Sequence, residues 1–355
     1  MLRRRQLMSL IPGGVLPGVL LPAITAQAQP GRDLVIATTG GAWQDALREA
    51  LFRPFQATTG VRVLEETREG GIAELRARAN GGGWDVVLVE GDELLIGVAE
   101  GLFSPLNWTA IANPDTLAPD AVHPYGLGAA RRALVLGYDP AALTGVPEGW
   151  ADLFDLTRFP GPRALRRGPR CTLEVALLAD GVAPEALYAT LGTEEGVVRA
   201  FRLLTLIRRD VRWWDTSSLP GQWLARGEVG MAAAFNGRIT AAGRAANKPL
   251  GIAWDKALTT LYSWVLPATR ASGGNQDDRP LAFLRLAAEA GPQAALATRI
   301  PFTPTAIGAP ALMTPAALAE LPSAHADTSL SLNEAFWAAN EGRLERRFDL
   351  WLADT

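Results

Sequence analysis

Apolar positions along this chain keep two rhythms, short continuous runs and helical spacing, and the two alternate through most of its length. Leu34-Val35-Ile36-Ala37, Val61 to Leu64, Trp84 to Val89, Ala133 to Tyr138, Val229 to Phe235 and Leu258 to Pro267 read as strands. The run Val86-Val87-Leu88-Val89 has no polar break, as a strand buried on both faces requires. Helical spacing predicts helices over Trp43 to Phe55, Ile72 to Ala79, Leu94 to Glu100, Leu173 to Leu178, Glu194 to Arg208 and Leu219 to Arg226. Further helices are expected over Ile239 to Ala246, Pro280 to Ala290, Pro315 to Glu320 and Leu332 to Leu352, with the proline-rich stretch Ile300 to Thr305 as irregular chain. Strand and helix in alternation predict an α/β fold built of βαβ units.

Gly40 and Gly41 join the first strand to the helix that Trp43 opens. Ligands in open α/β sheets bind beyond the carboxyl ends of strands, where such a turn presents backbone N–H groups. The turn is therefore either a binding wall or an ordinary strand-to-helix connection over a core tryptophan, and the residues alone favour neither. Pro140 and Pro147-Glu148-Gly149 mark a boundary after the Ala133 strand, and the Leu258 strand is expected to cross back. Two lobes joined by two crossings follow, a topology suited to hinge closure.

The first 28 residues carry a different signal. Arg3-Arg4-Arg5, an apolar stretch broken by Gly and Pro, and the small-residue end Ala26-Gln27-Ala28 predict a cleaved secretory signal peptide. Arg4-Arg5-Gln6-Leu7-Met8 also resembles the twin-arginine export pattern. Removing residues 1–28 takes away three arginines and no acid, so the formal charge moves from −3 to −6. A mildly acidic chain lacks the basic stripe expected of nucleic-acid binding. The remaining length, about 327 residues, exceeds what one core usually serves. One cysteine, Cys171, excludes an internal disulfide, and His123 and His325 stand too far apart in sequence for a ligand-spaced zinc cluster. No cofactor or metal is expected.

Stretches spread over the mature chain resemble the bacterial extracellular solute-binding proteins of ABC importers, in the branch similar to spermidine/putrescine-binding proteins. They are Thr39-Gly40-Gly41-Ala42-Trp43 with Phe55 and Thr59-Gly60-Val61, Trp84-Asp85-Val86-Val87 with Glu90-Gly91, and Gly149 to Phe154 before Phe159-Pro160-Gly161. Gly227-Glu228-Val229 leading to Asn236-Gly237-Arg238, then Ile300-Pro301-Phe302, and Ala335-Phe336-Trp337 with Arg347 and Trp351 complete the order. The resemblance implies a two-lobed periplasmic binding protein of class II, without catalysis, monomeric, that passes a small solute to membrane permease subunits. The lobes are expected over 29–135 with about 262–315, and over 136–261, with residues 316–355 as helices packed on the lobes and hinge. An exported enzyme or transferase on the same scaffold is the alternative.

Carried over position by position, the resemblance puts Thr39, Gly41 and Trp43 of the first turn, Glu90 and Asp92 after the third strand, Phe235 and Arg238, and Phe302 at the solute. The two places where polyamine binders hold carboxylates match Cys171 and Tyr262 here, with Glu174 near the first, which puts a diamine clamp in doubt. Glu90 and Asp92 could take a single amine, and Arg238 offers a bidentate fork for a carboxylate. A polyamine-like, opine or amino-acid-derived, or carboxylate solute follows. Other readings stay open: core packing for Phe235, a helix cap for Glu90, and a buried apolar role for Cys171. Of Trp213 and Trp214, one is expected to be buried and the other near the cleft or surface, and Arg131-Arg132 is read as a solvated pair.

Overall fold

The computed structural model describes residues 33–68, 71–79, 82–269 and 277–354. The expected signal segment lies outside the described residues.

Eight strands form the body of one continuous sheet: β1 (Leu34–Thr38), β2 (Val63–Thr67), β3 (Val86–Val89), β4 (Gly126–Tyr138), β5 (Arg163–Arg166), β6 (Val211–Trp214), β7 (Met231–Phe235) and β8 (Gly251–Pro267). Their spatial order is β2-β1-β3-β8-β4-β7-β5-β6. β1 pairs in parallel with β2 and β3, and β7-β5-β6 is a second parallel set. Between them run the long antiparallel strands β4 and β8, paired from Gly251 opposite Tyr138 to Val265 opposite Gly126. β3 joins β8 through Ser263 to Val265, whereas β7 joins β4 through Leu134 to Tyr138. The two parallel sets thus attach at opposite ends of the same strand pair, so these two strands are the crossings. Their register slips between Ala253 and Leu258 and again after Tyr262, and bulges of this kind bend a strand locally.

Burial explains which runs became strands. Val86 to Val89 are all fully buried, as an unbroken apolar run demands. Behind β1, the helix that begins at Ala42 turns Trp43, Leu47, Leu51, Phe52 and Phe55 inward at helical spacing. Four helices position the site described below: α1 (Gly91–Ala99), α2 (Thr172–Ala179), α3 (Asn236–Ala246) and α4 (Glu334–Ala353). No helix among the described residues is long and apolar enough to cross a membrane.

Several expected boundaries shift. The second strand is Val63–Thr67 rather than Val61 to Leu64, and the returning strand begins at Gly251 instead of Leu258. Pro280 to Ala290 resolves into two helices, Arg279–Ala288 and Ala290–Arg299, divided at the extended residue Glu289. α3 starts at Asn236, so Asn236-Gly237-Arg238 is the first turn of a helix and not a loop. β5 and β6 were not expected, because Arg163, Arg166 and Arg212 interrupt their apolar pattern.

Candidate functional site

Six strand ends converge on one cavity of about 100 Å3. Thr39 follows β1, Arg68 follows β2, Glu90 follows β3, Arg166 ends β5, Trp214 ends β6 and Phe235 ends β7. This is the arrangement expected of open α/β sheets, where parallel strands point their carboxyl ends at a shared crevice. The two crossing strands add Arg132 and Tyr262, α1 adds Asp92 and Glu93, and α4 adds Glu341.

Arg132 lies at the centre of this wall. Strand alternation turns Arg131 outward to Asp120 and Arg132 inward, where it is 1 % exposed. Its guanidinium carbon sits 3.6 Å from the ring centre of Phe235 and 3.9 Å from that of Tyr262. Nη1 donates to the Tyr262 hydroxyl at 2.5 Å and Nη2 donates to Glu90 Oε1. An arginine between two rings loses little by leaving water, since the ring faces are electrostatically attractive to it. The Arg131-Arg132 pair is therefore not solvated as a unit, contrary to expectation.

Glu90 collects cations. Oε1 accepts from Arg132, Oε2 accepts from Arg170, and Arg166 Nη1 stands 3.9 Å from Oε2. Burial alone would raise this carboxyl, but the three arginine charges overcome it and hold Glu90 well below the usual carboxylate range. Glu90 occupies the N-cap position of α1, and its backbone N–H donates to Glu93 Oε2 at 2.8 Å. Glu93 is paired in turn with buried Arg68 through bonds of 2.5 and 3.0 Å.

Asp92 stands one residue into α1 and has a poorer environment. Its Oδ2 lies 3.3 Å from Arg170 Nε, without hydrogen-bond geometry, and its Oδ1 is buried with no hydrogen-bond partner. Arg170 is shared with Glu90 and with Glu334 Oε2, which it reaches at 2.6 Å. Burial, with Glu90, Glu334 and Glu93 adding repulsion against the pull of Arg170, pushes the Asp92 carboxyl up to about 7.

Of the ten residues expected at the solute, Thr39, Glu90, Asp92, Phe235 and Tyr262 line the cavity. Trp43 and Phe302 form the layer behind it. The Trp43 ring stacks on Tyr262 at 5.6 Å and meets Phe302 at a tilt of 43° and 5.2 Å, and both are buried. Gly41, at φ 67°, faces Arg238, whose Nη1 donates to the Gly40 carbonyl at 2.7 Å and whose Nη2 donates to Thr39 Oγ1 at 3.3 Å. Arg238 thus braces the first turn from α3, and its guanidinium is not among the groups lining the cavity. Cys171 is fully buried beside Arg170 with φ 71°, a conformation that side-chain-bearing residues rarely adopt. Its thiol is pushed up to about 11, first by burial.

Sequence reading missed Arg68, Arg132, Arg166 and Arg170, together with Asp215 and Ser217 after β6, and it did not expect the buried tryptophan of the Trp213-Trp214 pair to be the one at the cavity. Trp214 is the buried member of its pair, donating Nε1 to the Ala233 carbonyl at 3.0 Å. Period-two alternation was the available signal for Arg132; nothing local marks Arg170, whose acids lie 80 and 164 residues away.

Two charged signs, three aromatic faces and a small volume make this a recognition site for a small polar molecule. The family described as bacterial extracellular solute-binding protein matches residues 50–324. The chain is 36 % identical over 335 residues to the gamma-aminobutyric acid-binding protein of Pseudomonas aeruginosa, covering 93 % of this chain and 94 % of that one. A solved GABA receptor superposes with a TM-score of 0.79 at 31 % identity, over 91 % of this chain and 98 % of its own. The binding protein AgtB of A. tumefaciens R10, in complex with agropinic acid, gives 0.82 at 27 % identity, over 91 % and 99 %. With its two-lobed α/β fold and a cavity at the converging strand ends, the chain belongs to the bacterial extracellular solute-binding protein family and is the substrate-binding component of an ABC importer.

Proposed function

We propose that this chain is a periplasmic receptor for a short zwitterionic amino acid of the ω-amino acid class, with γ-aminobutyrate as the representative ligand. The observation that carries the reading is the size of the cavity combined with its two signs of charge. About 100 Å3 is well below the 300–1,000 Å3 typical of sites for drug-sized ligands, so the solute has few heavy atoms. Sugar-derived opines and spermidine-like polyamines are larger than that. Against a diamine, both oxygens of Glu90 already accept from arginines, Arg68, Arg132 and Arg166 already line the wall, and Tyr262 stands where polyamine binders carry an acid. A dianion would leave Asp92, Asp215 and Glu341 unopposed along the wall. A zwitterion changes the net charge of the site by nothing and can use both signs. The similarity to two GABA-binding proteins supports the same class.

In this reading Thr39, Asp92, Phe235 and Tyr262 touch the ligand, while Gly41, Trp43, Arg238 and Phe302 shape the wall behind it. Residues 1–28 direct export and are removed, the lobes run over 29–135 with 262–315 and over 136–261, and the monomer delivers its solute to the permease. Isothermal titration of protein stripped of ligand by unfolding and refolding tests the proposal. Saturable binding of γ-aminobutyrate is expected, with putrescine and glutarate at least about 100-fold weaker, the discrimination of a site whose buried polar groups would be left unpaired. Tighter binding of putrescine, or no binding of any short ω-amino acid, overturns it.

A further inference from the structure

Two atoms of opposite charge on residues that line the cavity are buried without a hydrogen-bond partner: Oδ1 of Asp92 and Nη1 of Arg166. The other arginines there leave only Nε without a partner and commit their terminal nitrogens. Arg68 uses its terminal nitrogens on Glu93 and on the carbonyls of Leu88 and Gly71, and Arg132 uses its own on Glu90 and Tyr262. Arg170, behind the wall, holds Glu90 and Glu334. Arg166 Nη1 stands 3.9 Å from Glu90 Oε2, too far for a hydrogen bond. The Asp92 side chain is 4 % exposed, so water cannot serve its open oxygen freely.

Resting on the zwitterion reading, we infer that these two atoms are the poles of the ligand site, the ammonium ending on Asp92 Oδ1 and the carboxylate on Arg166 Nη1. The assignment gives Asp92 Oδ1 and Arg166 Nη1 each a group of opposite charge, and it keeps both ends of the ligand inside one small cavity. It also explains why Glu90 is not the amine partner: Arg132 and Arg170 hold its oxygens. The groups facing Asp92 are Glu90 and Glu93 from its own segment, Arg170 from the loop before α2, Glu334 from α4 and, more weakly, Arg166 from the end of β5. Burial first, then three acids set against the shared Arg170, leave its carboxyl partly protonated near neutrality, pushed up to about 7. An arriving ammonium supplies the missing positive charge, so binding draws the proton from Asp92 into the buffer while the ligand keeps its own.

The test is titration of γ-aminobutyrate into the full mature chain at pH 6.0 to 8.5, in buffers of different ionisation enthalpy, repeated on Asp92→Asn and Arg166→Met. For the unsubstituted protein the expected result is net proton release below pH 7 that fades above pH 8, with affinity rising over the same interval. Asp92→Asn is expected to abolish the release and weaken binding by about 100-fold or more, and Arg166→Met to weaken it by at least about 30-fold, as for lost charged hydrogen bonds. Proton release needs no variant, so it decides the matter even if a substitution impairs folding. Binding with no proton release at pH 6.5, or with both variants within threefold of the parent, overturns the two poles while leaving the zwitterion reading intact. No binding to the unsubstituted protein overturns both.

Discussion

Nη2 of Arg170 donates to Oε2 of Glu334 at 2.6 Å, joining the loop before α2 to the first turn of α4. Oε1 of the same carboxylate accepts from Thr260 Oγ1 at 2.7 Å, so Glu334 ties the C-terminal helix to a crossing strand as well. Glu334→Ala leaves Arg170 with two of its three acids. The expected loss of unfolding free energy is about 1–2 kcal/mol, below the 3–5 kcal/mol of a fully buried pair because Glu334 is 21 % exposed and Arg170 keeps other partners. Glu334→Gln retains an acceptor for Thr260 and should recover about half. Urea denaturation of the ligand-free protein checks both, and a shift below about 0.5 kcal/mol for the alanine variant rejects the tie.

The same carboxylate makes Gly91 obligatory. A Cβ at Gly91 would lie 2.6 Å from Cδ and Cγ of Glu334 and 2.8 Å from its Oε1. That side chain is held at both oxygens and cannot simply swing away. Gly91→Ala should cost about 1–3 kcal/mol by overpacking. In a Glu334→Ala background most of that cost should vanish, giving a coupling energy of at least about 1 kcal/mol in the double-mutant cycle. Strict additivity contradicts the clash.

What could be read before the structure was known follows from how local each signal is. Val86 to Val89 and Met231 to Phe235 announce themselves because every side chain in them is buried and apolar. β5 does not, since Arg163 hides in the core by donating to the carbonyls of Leu153, Gly161 and Phe159, and a charge in a short run reads as solvent-facing. The Gly40-Gly41 turn, Glu90, Asp92 and Tyr262 were legible through the family resemblance. The arginine set was not, because burial of Arg132 and Arg170 depends on acids and rings brought in from distant parts of the chain. Arg238 was placed at the solute by the resemblance and read as a carboxylate fork from its guanidinium, and α3 aims it at the Gly40 carbonyl.

Tyr262 tests the centre of the wall. Its hydroxyl accepts from Arg132 Nη1 at 2.5 Å, and its ring lies between the Arg132 guanidinium and Trp43. Tyr262→Phe keeps both ring contacts and removes the acceptor, leaving a buried guanidinium nitrogen unsatisfied. A loss of about 1.5–3 kcal/mol is expected, the range for a hydrogen bond to a charged group. Tyr262→Leu should cost more, since the ring face against the cation and the stacking on Trp43 go as well. Equal stability of the two variants in chemical denaturation would mean that the hydroxyl carries the whole contribution and the ring none.

Glu174 gives the chain a pH dependence that can be isolated. It is fully buried in α2, and its Oε1 accepts from Trp337 Nε1 at 2.6 Å and from the Tyr188 hydroxyl at 3.1 Å, while Oε2 is buried without a partner. Burial pushes this carboxyl from an ordinary 4.5 up to about 7, against the opposing hydrogen bonds and the Arg170 charge. Because the folded value lies above the unfolded one, the stabilisation is fully present below about pH 4.5 and is lost as pH rises through 7. Asp92 shifts in the same sense, so the slope of the parent protein alone does not separate them. Glu174→Gln does, by difference. Relative to the parent, the glutamine variant should gain about 2–3 kcal/mol of unfolding free energy between pH 4.5 and 8, with the gain levelling off above pH 8. A difference that stays flat within about 0.5 kcal/mol across that interval would show that Glu174 is ionised in the folded protein throughout, its burial offset by Trp337 and Tyr188.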